Sequence, residues 1–186
     1  MPRTLPWIRL TLAALLAACT TDAPPASATK TVRDPFIALQ SDFADFESWR
    51  SWEVPDVGSN FGHRRGGPSH LYVNRAVPAF HEPMPVGTIL IKTVEVGEDP
   101  TGWDIHGMVK RGGDFNPAGA VGWEYFELGF TEEREPVVLW RGEGDAQNPG
   151  GYGRLLDGTP VGCNECHGVA SAGDHAFARA LFSPES

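Results

Sequence analysis

Cysteine is scarce in this chain: three residues among 186, at positions 19, 163 and 166. One stands alone near the N-terminus and the other two form a local pair, so no disulfide framework can be built from them. Long apolar runs are missing too. The stretch from Leu10 to Ala18 falls well short of the roughly 20 apolar residues a membrane-spanning helix needs. Cations are outnumbered, 15 Lys+Arg against 24 Asp+Glu. That balance argues against nucleic acid and anionic membrane surfaces as partners. No internal repeat is visible, and the 19 residues after His167 contain no methionine.

What is present at the N-terminus has a direction. Arg3 and Arg9 precede the apolar run, no acid accompanies them, and the run ends in Leu16-Ala17-Ala18-Cys19. This is the layout of a signal peptide whose small residues sit directly before a cysteine, and it resembles a bacterial lipobox. Residues 1–18 are expected to be removed and Cys19 to carry lipid. Removing two cations and no acid takes the formal charge from −9 to −11. Such charge serves solubility or the docking of a basic redox partner. The following segment, 19–34, is rich in Ala, Thr and Pro and reads as a flexible tether. The expected location is the periplasmic face of a bacterial membrane, the outer membrane favoured over the inner.

Residues 35–186 have the length of a single domain. Phe36, Leu39, Phe43, Phe46 and Trp49 recur at spacings of three and four, which predicts an amphipathic N-terminal helix. His70 to Val73, Thr88 to Val96, Trp103 to Val109, Val121 to Phe130 and Val137 to Trp140 are short, β-branched and aromatic. Gly, Pro, Asp and Asn punctuate them, which predicts antiparallel strands. Asn74 to Phe80 reads as a short helix or turn, Glu143 to Gly162 as a long loop, and Ser171 to Phe182 as a last short helix. The expected fold class is therefore α+β: mainly antiparallel β-sheet with an N-terminal helix and a short C-terminal helix.

Cys163-Asn164-Glu165-Cys166-His167 is the Cys-x-x-Cys-His pattern of c-type haem attachment. Two thiols at this spacing reach the two vinyl groups of one macrocycle, and the adjacent imidazole becomes the proximal ligand of the iron. A zinc site would call for a second Cys/His pair, and a redox dithiol for a strand-to-helix junction of a βαβ unit. The pattern predicts one covalent haem c on Cys163 and Cys166, with His167 on iron. In small electron-transfer cytochromes the motif lies near the N-terminus with a methionine downstream. Here it is C-terminal, and the available methionines, Met84 and Met108, lie upstream.

An ordered series of segments sharpens the reading: Pro85-Val86-Gly87-Thr88-Ile89-Leu90-Ile91-Lys92, Met108-Val109-Lys110-Arg111, Asp114-Phe115-Asn116-Pro117, Gly122-Trp123-Glu124-Tyr125, and Cys163 to His167 followed by Asp174 and Phe177. Over roughly His70 to Phe182 the chain resembles the cytochrome P-460 family, a relative of the β-sheet cytochromes c-prime. The resemblance implies a single haem-binding domain, a homodimer in many members, and an iron open to hydroxylamine or nitric oxide. It also implies that Lys92 stands where crosslinked members bond a lysine to the haem ring. On residue type alone, Lys92 is a snorkelling or edge-protecting lysine. Hydroxylamine-oxidising members carry a distal carboxylate where this chain has His106. That residue is read as a base, an iron ligand or a hydrogen-bonded core residue. Two functions follow from the resemblance: oxidation of small nitrogen species, or a non-catalytic cytochrome that binds a gas or passes electrons. His63, His70, His81 and His175 belong to no motif.

Overall fold

The computed structural model describes residues 35–54, 67–144, 153–156 and 159–177, all within the unit Val32–Ser186. The leader, Cys19, the tether and His63 lie outside the described residues. Among those described, no helix is long and apolar enough to cross a membrane.

Six strands make one antiparallel sheet in sequential order: β1 (Arg50–Glu53), β2 (Ser69–Val73), β3 (Ile89–Val94), β4 (Asp104–Lys110), β5 (Trp123–Phe130) and β6 (Pro136–Gly142). A separate two-stranded hairpin, β7 (Gly153–Leu156) and β8 (Thr159–Gly162), leads into the helix α1 (Cys163–His167). Alternation assigns side chains to two faces. One carries Tyr72, Ile89, Ile91, Ile105, Val109, Phe126 and Leu128, which pack with Ala38, Phe43 and Phe46 of the N-terminal segment. The Phe43 ring lies 5.1 Å from Phe126, and Phe46 meets Tyr72 edge-on at 5.3 Å. The opposite face carries Leu71, Val73, Leu90, Met108, Trp123 and Tyr125, with Met84, Ala120 and Ala176 packed against them. Both faces are covered, which is why Ile89-Leu90-Ile91 is apolar without a break.

The expected fold class needs correction at both ends. In place of an N-terminal helix, two 3-10 turns, Gln40–Phe43 and Phe46–Ser48, precede β1. The apolar spacing of three suits the three-residue turn of a 3-10 helix as well as the α period, and Leu39 does not join the buried stripe, being 61% exposed. Asp and Ser side chains compete for the backbone. The Leu39 amide donates to Asp42 Oδ2 at 2.7 Å, and Ser48 Oγ donates to the Asp45 carbonyl at 2.7 Å. Asp45 (φ −114°, ψ 25°) breaks the turn, and Trp49 is already extended.

At the other end, the helix expected from Ser171 is a single 3-10 turn, Ser171–Gly173. Asp174 (φ 48°) and His175 (φ 71°) follow in the left-handed region, where a right-handed helix cannot continue. Residues 178–182 of that expectation lie outside the described chain. The expected loop before the motif contains β7 and β8. They pair antiparallel, Gly153 opposite Gly162 and Leu156 opposite Thr159. Between β2 and β3, Asn74 to Phe80 forms bends and irregular chain.

Candidate haem-binding site

The five-residue helix α1 is too short to hold itself and is held by its surroundings. The Gly162 amide donates to Glu165 Oε2 at 2.7 Å, capping the first turn. Asn164, between the cysteines, anchors the helix to the loop ahead of β5. Asn116 Nδ2 donates to Asn164 Oδ1 at 2.8 Å, and Asn164 Nδ2 donates back to Asn116 Oδ1 at 2.8 Å. The Ala120 amide also donates to Asn164 Oδ1, at 3.3 Å. Asn116 is fully buried at φ 53°, a conformation that asparagine tolerates better than most residues. The seat is tight: a Cβ on Gly119 would lie 2.1 Å from Asn164 Cγ, and one on Gly144 would lie 2.6 Å from Cys163 Cβ.

With Asn164 turned into the loop, Cys163, Cys166 and His167 share the other side of the helix through their three- and four-residue spacings. Both cysteines are free thiols. Burial pushes the Cys163 thiol up to about 12, so it is neutral at ordinary pH. Cys163 packs at the margin of the apolar face that holds Met108 and Tyr125.

His167 is fixed by the left-handed turn that follows it. Its Nδ1 lies 2.8 Å from the His175 carbonyl, which can only accept, so Nδ1 carries the proton and Nε2 keeps its lone pair. His175 reciprocates, Nδ1 donating to the His167 carbonyl at 2.9 Å. Asp174 ties the turn to the sheet, accepting from Lys110 Nζ at 2.7 Å and from the Met84 amide at 2.8 Å. Rings frame the imidazole: Tyr125 at 5.6 Å and Phe177 edge-on at 5.1 Å. Burial pulls the His167 pKa down to about 4. The carbonyl bond opposes that shift, and the charges of His175, His106 and Lys92 add to it. His167 is therefore a neutral imidazole with a bare Nε2, the form in which histidine ligates a metal.

Lys92 and His106 are direct cross-strand neighbours on β3 and β4, on the face that also carries Met108 and Tyr125. Their action on His167 brings the three residues singled out in the sequence into one electrostatic neighbourhood. Strand β3 is internal to the sheet, so Lys92 does not protect an edge. Asp104, two residues before His106 and therefore on the same side of β4, lies 3.2 Å from His106 Nε2 through Oδ1. Glu127 faces His106 from β5.

These residues fit a haem c. Two free thiols and a histidine with a bare nitrogen share one side of a helix beside an apolar face. On that face the Tyr125 hydroxyl and the Trp123 indole N–H are buried without a hydrogen-bond partner among the described residues. Burial raises the Tyr125 pKa, and the nearby Cys163, Cys166 and Glu165 raise it further, so the orphaned hydroxyl is a neutral donor close to the motif. Sequence reasoning did not find Asn116, Asn164, Asp104 or the His175 carbonyl as parts of this site. Of these, only Asp104 left a signal, its two-residue offset from His106 on a strand. No protein-family model matches the chain, and neither the curated proteins nor the solved structures contain a match.

Proposed function

We propose that this chain is an exported, lipid-anchored monohaem c-type cytochrome of the P-460 type that oxidises or binds small nitrogen species such as hydroxylamine and nitric oxide. The observation that carries the reading is the His167 imidazole. Its Nδ1 proton is committed to the His175 carbonyl and its Nε2 has no partner among the described residues, within one turn of two free thiols. Cys163 and Cys166 would hold the macrocycle through thioethers and His167 would ligate its iron. When bound, the haem supplies a redox-active iron that exchanges electrons with a nitrogen ligand and a redox partner protein.

The chain's own residues supply the rest. The apolar face of Leu71, Leu90, Met108 and Tyr125 excludes water. Loss of two electrons from hydroxylamine releases two protons and leaves nitroxyl, so a base is required, and His106 is the residue assigned here to accept a proton. Lys92 beside it is the crosslinking candidate. A second reading, a gas-binding or electron-transfer cytochrome without turnover, draws on Met84 and Met108, both buried in the same cluster as Cys163 and each able to offer a thioether to iron. Lipid on Cys19 would fix the chain to the periplasmic face of the membrane, as a monomer or a homodimer. Ferric and ferrous absorption spectra, taken with hydroxylamine turnover, test the reading. An open-site spectrum with turnover supports the oxidase; a six-coordinate, methionine-ligated spectrum without turnover leaves the electron carrier. Cys19→Ala is expected to move the protein from the membrane to the soluble fraction.

A further inference from the structure

We propose that Asp104 is a positioning residue for His106: it holds the ring at Nε2, so that His106 works as a proton acceptor through Nδ1 and not as a second iron ligand. This inference rests on the haem reading above and deepens it.

Residues 104 and 106 point to the same side of β4, and Asp104 Oδ1 stands 3.2 Å from His106 Nε2. Both side chains are mostly buried, 13% and 14% exposed, and Nε2 itself is closed to solvent. The carboxylate oxygen lies off the N–H axis, so the attraction is electrostatic more than a linear hydrogen bond. In a site shielded from water it still selects the tautomer with the proton on Nε2. Among the described residues, the charged residues directly across from His106 on the neighbouring strands are Lys92 of β3 and Glu127 of β5.

The two ring nitrogens are not equivalent toward a macrocycle. Nδ1 is one bond from the ring carbon that bears the side-chain stem, so a flat porphyrin approaching it would meet the residue's own strand. Nε2, the nitrogen that reaches an iron freely, is turned to Asp104. What remains is a dyad in which a carboxylate orients a histidine. In hydroxylamine oxidation, two electrons leave for a one-electron acceptor protein in successive steps and two protons are released. His106 takes one of these protons at Nδ1, the other passes to bulk water, and nitroxyl is the product.

The test uses the haem-loaded, full-length protein as parent, Asp104→Asn, His106→Ala and the double variant. Ferric absorption and electron paramagnetic resonance report coordination, and hydroxylamine turnover reports the base. The expected parent is five-coordinate, and His106→Ala leaves that spectrum unchanged. Asp104→Asn, isosteric and retained as folded by its unchanged circular dichroism, lowers turnover roughly 10- to 100-fold, as loss of an orienting partner does. In the His106→Ala background the same substitution costs nothing, because Asp104 acts only through His106. A parent whose six-coordinate spectrum collapses in His106→Ala makes His106 a ligand and overturns the proposal. So does equal turnover in parent and Asp104→Asn, or an additive double variant. A chain that takes up no covalent haem overturns the haem reading itself, a result told apart from these by the absence of any haem spectrum.

Discussion

His167 and His175 hold each other by exchange: each ring donates through Nδ1 to the other's main-chain carbonyl, at 2.8 and 2.9 Å. The exchange closes the turn through Asp174 and leaves His167 half-buried, neutral and with one lone pair to offer. Because the His175 carbonyl does this, the side chain at 175 can be replaced without losing the bond that sets the His167 tautomer. His175→Ala is expected to retain the haem and to cost only about 1 kcal/mol, one hydrogen bond's worth, by thermal denaturation.

The same arrangement sets a pH dependence. In the folded, haem-free chain the His167 pKa is about 4, against 6.5 for an ordinary histidine. The folded form thus resists a proton that the unfolded form accepts. Stability is fully present above pH 6.5 and is lost as the pH falls toward 4, by on the order of 2–3 kcal/mol. With Nε2 bound to iron the group no longer titrates in this way. Melting curves of the Cys163→Ser/Cys166→Ser protein and the haem-loaded parent between pH 7 and 4 should diverge by this amount. Parallel curves would speak against His167 as the ligand.

Removing the Asn116–Asn164 seat should loosen the motif without touching its chemistry. Asn164→Ala takes the Asn164 donor from Oδ1 of fully buried Asn116, whose Nδ2 keeps the Trp123 and Glu143 carbonyls, at a cost of about 2 kcal/mol. The melting temperature should fall by roughly 4–8 °C. Gly119→Ala forces a Cβ into the Asn164 side chain and should act in the same direction. Haem incorporation, read as the ratio of haem to protein absorbance, is expected to drop in both.

On the opposite face, Glu124 is buried and accepts from Arg141 through Nε and Nη2, each at 2.8 Å, and from Arg111 at 3.4 Å. Arg141 also donates to the Ala38 carbonyl at 2.9 Å, so this pair straps the 3-10 turns to the sheet. Glu124→Gln leaves two guanidinium groups that can still reach water, and should cost about 2 kcal/mol, less than loss of a fully buried pair. Chemical denaturation should show it, with the haem spectrum unchanged.

How much of this was legible in the sequence depended on the range of the interaction. The Cys163-Asn164-Glu165-Cys166-His167 pattern stands out because covalent attachment fixes its spacing. The strand positions stand out because aromatic and β-branched clusters are cut by turn residues. The N-terminal apolar spacing of three and four was ambiguous between two helix types, and the decision fell to Asp42, Asp45 and Ser48, whose side chains bond the backbone locally. The Asp174-His175 turn carries no glycine to announce its left-handed backbone. Asn116 and Asn164 lie 48 residues apart and meet only in the folded chain.

Whether Lys92 is bonded to the macrocycle is decided by peptide mass. Lys92 and His106 face each other across β3 and β4, and the charges of both reach His167. Drawing a lysine ammonium out of water beside an apolar haem face is costly, and a bond to the ring removes the charge. Proteolysis of the holoprotein is expected to release a haem joining the Cys163–His167 peptide to the peptide that contains Lys92. In Lys92→Ala, haem should remain on the motif peptide alone.

Everything proposed for the site depends on a haem held by Cys163 and Cys166. The most direct test is the mass of the chain under denaturing conditions, after expression with a haem-maturation system. The added mass of one haem is expected to survive denaturation and to disappear in Cys163→Ser/Cys166→Ser. A parent chain at its bare polypeptide mass, or a double-serine variant that keeps the haem through denaturation, would contradict it.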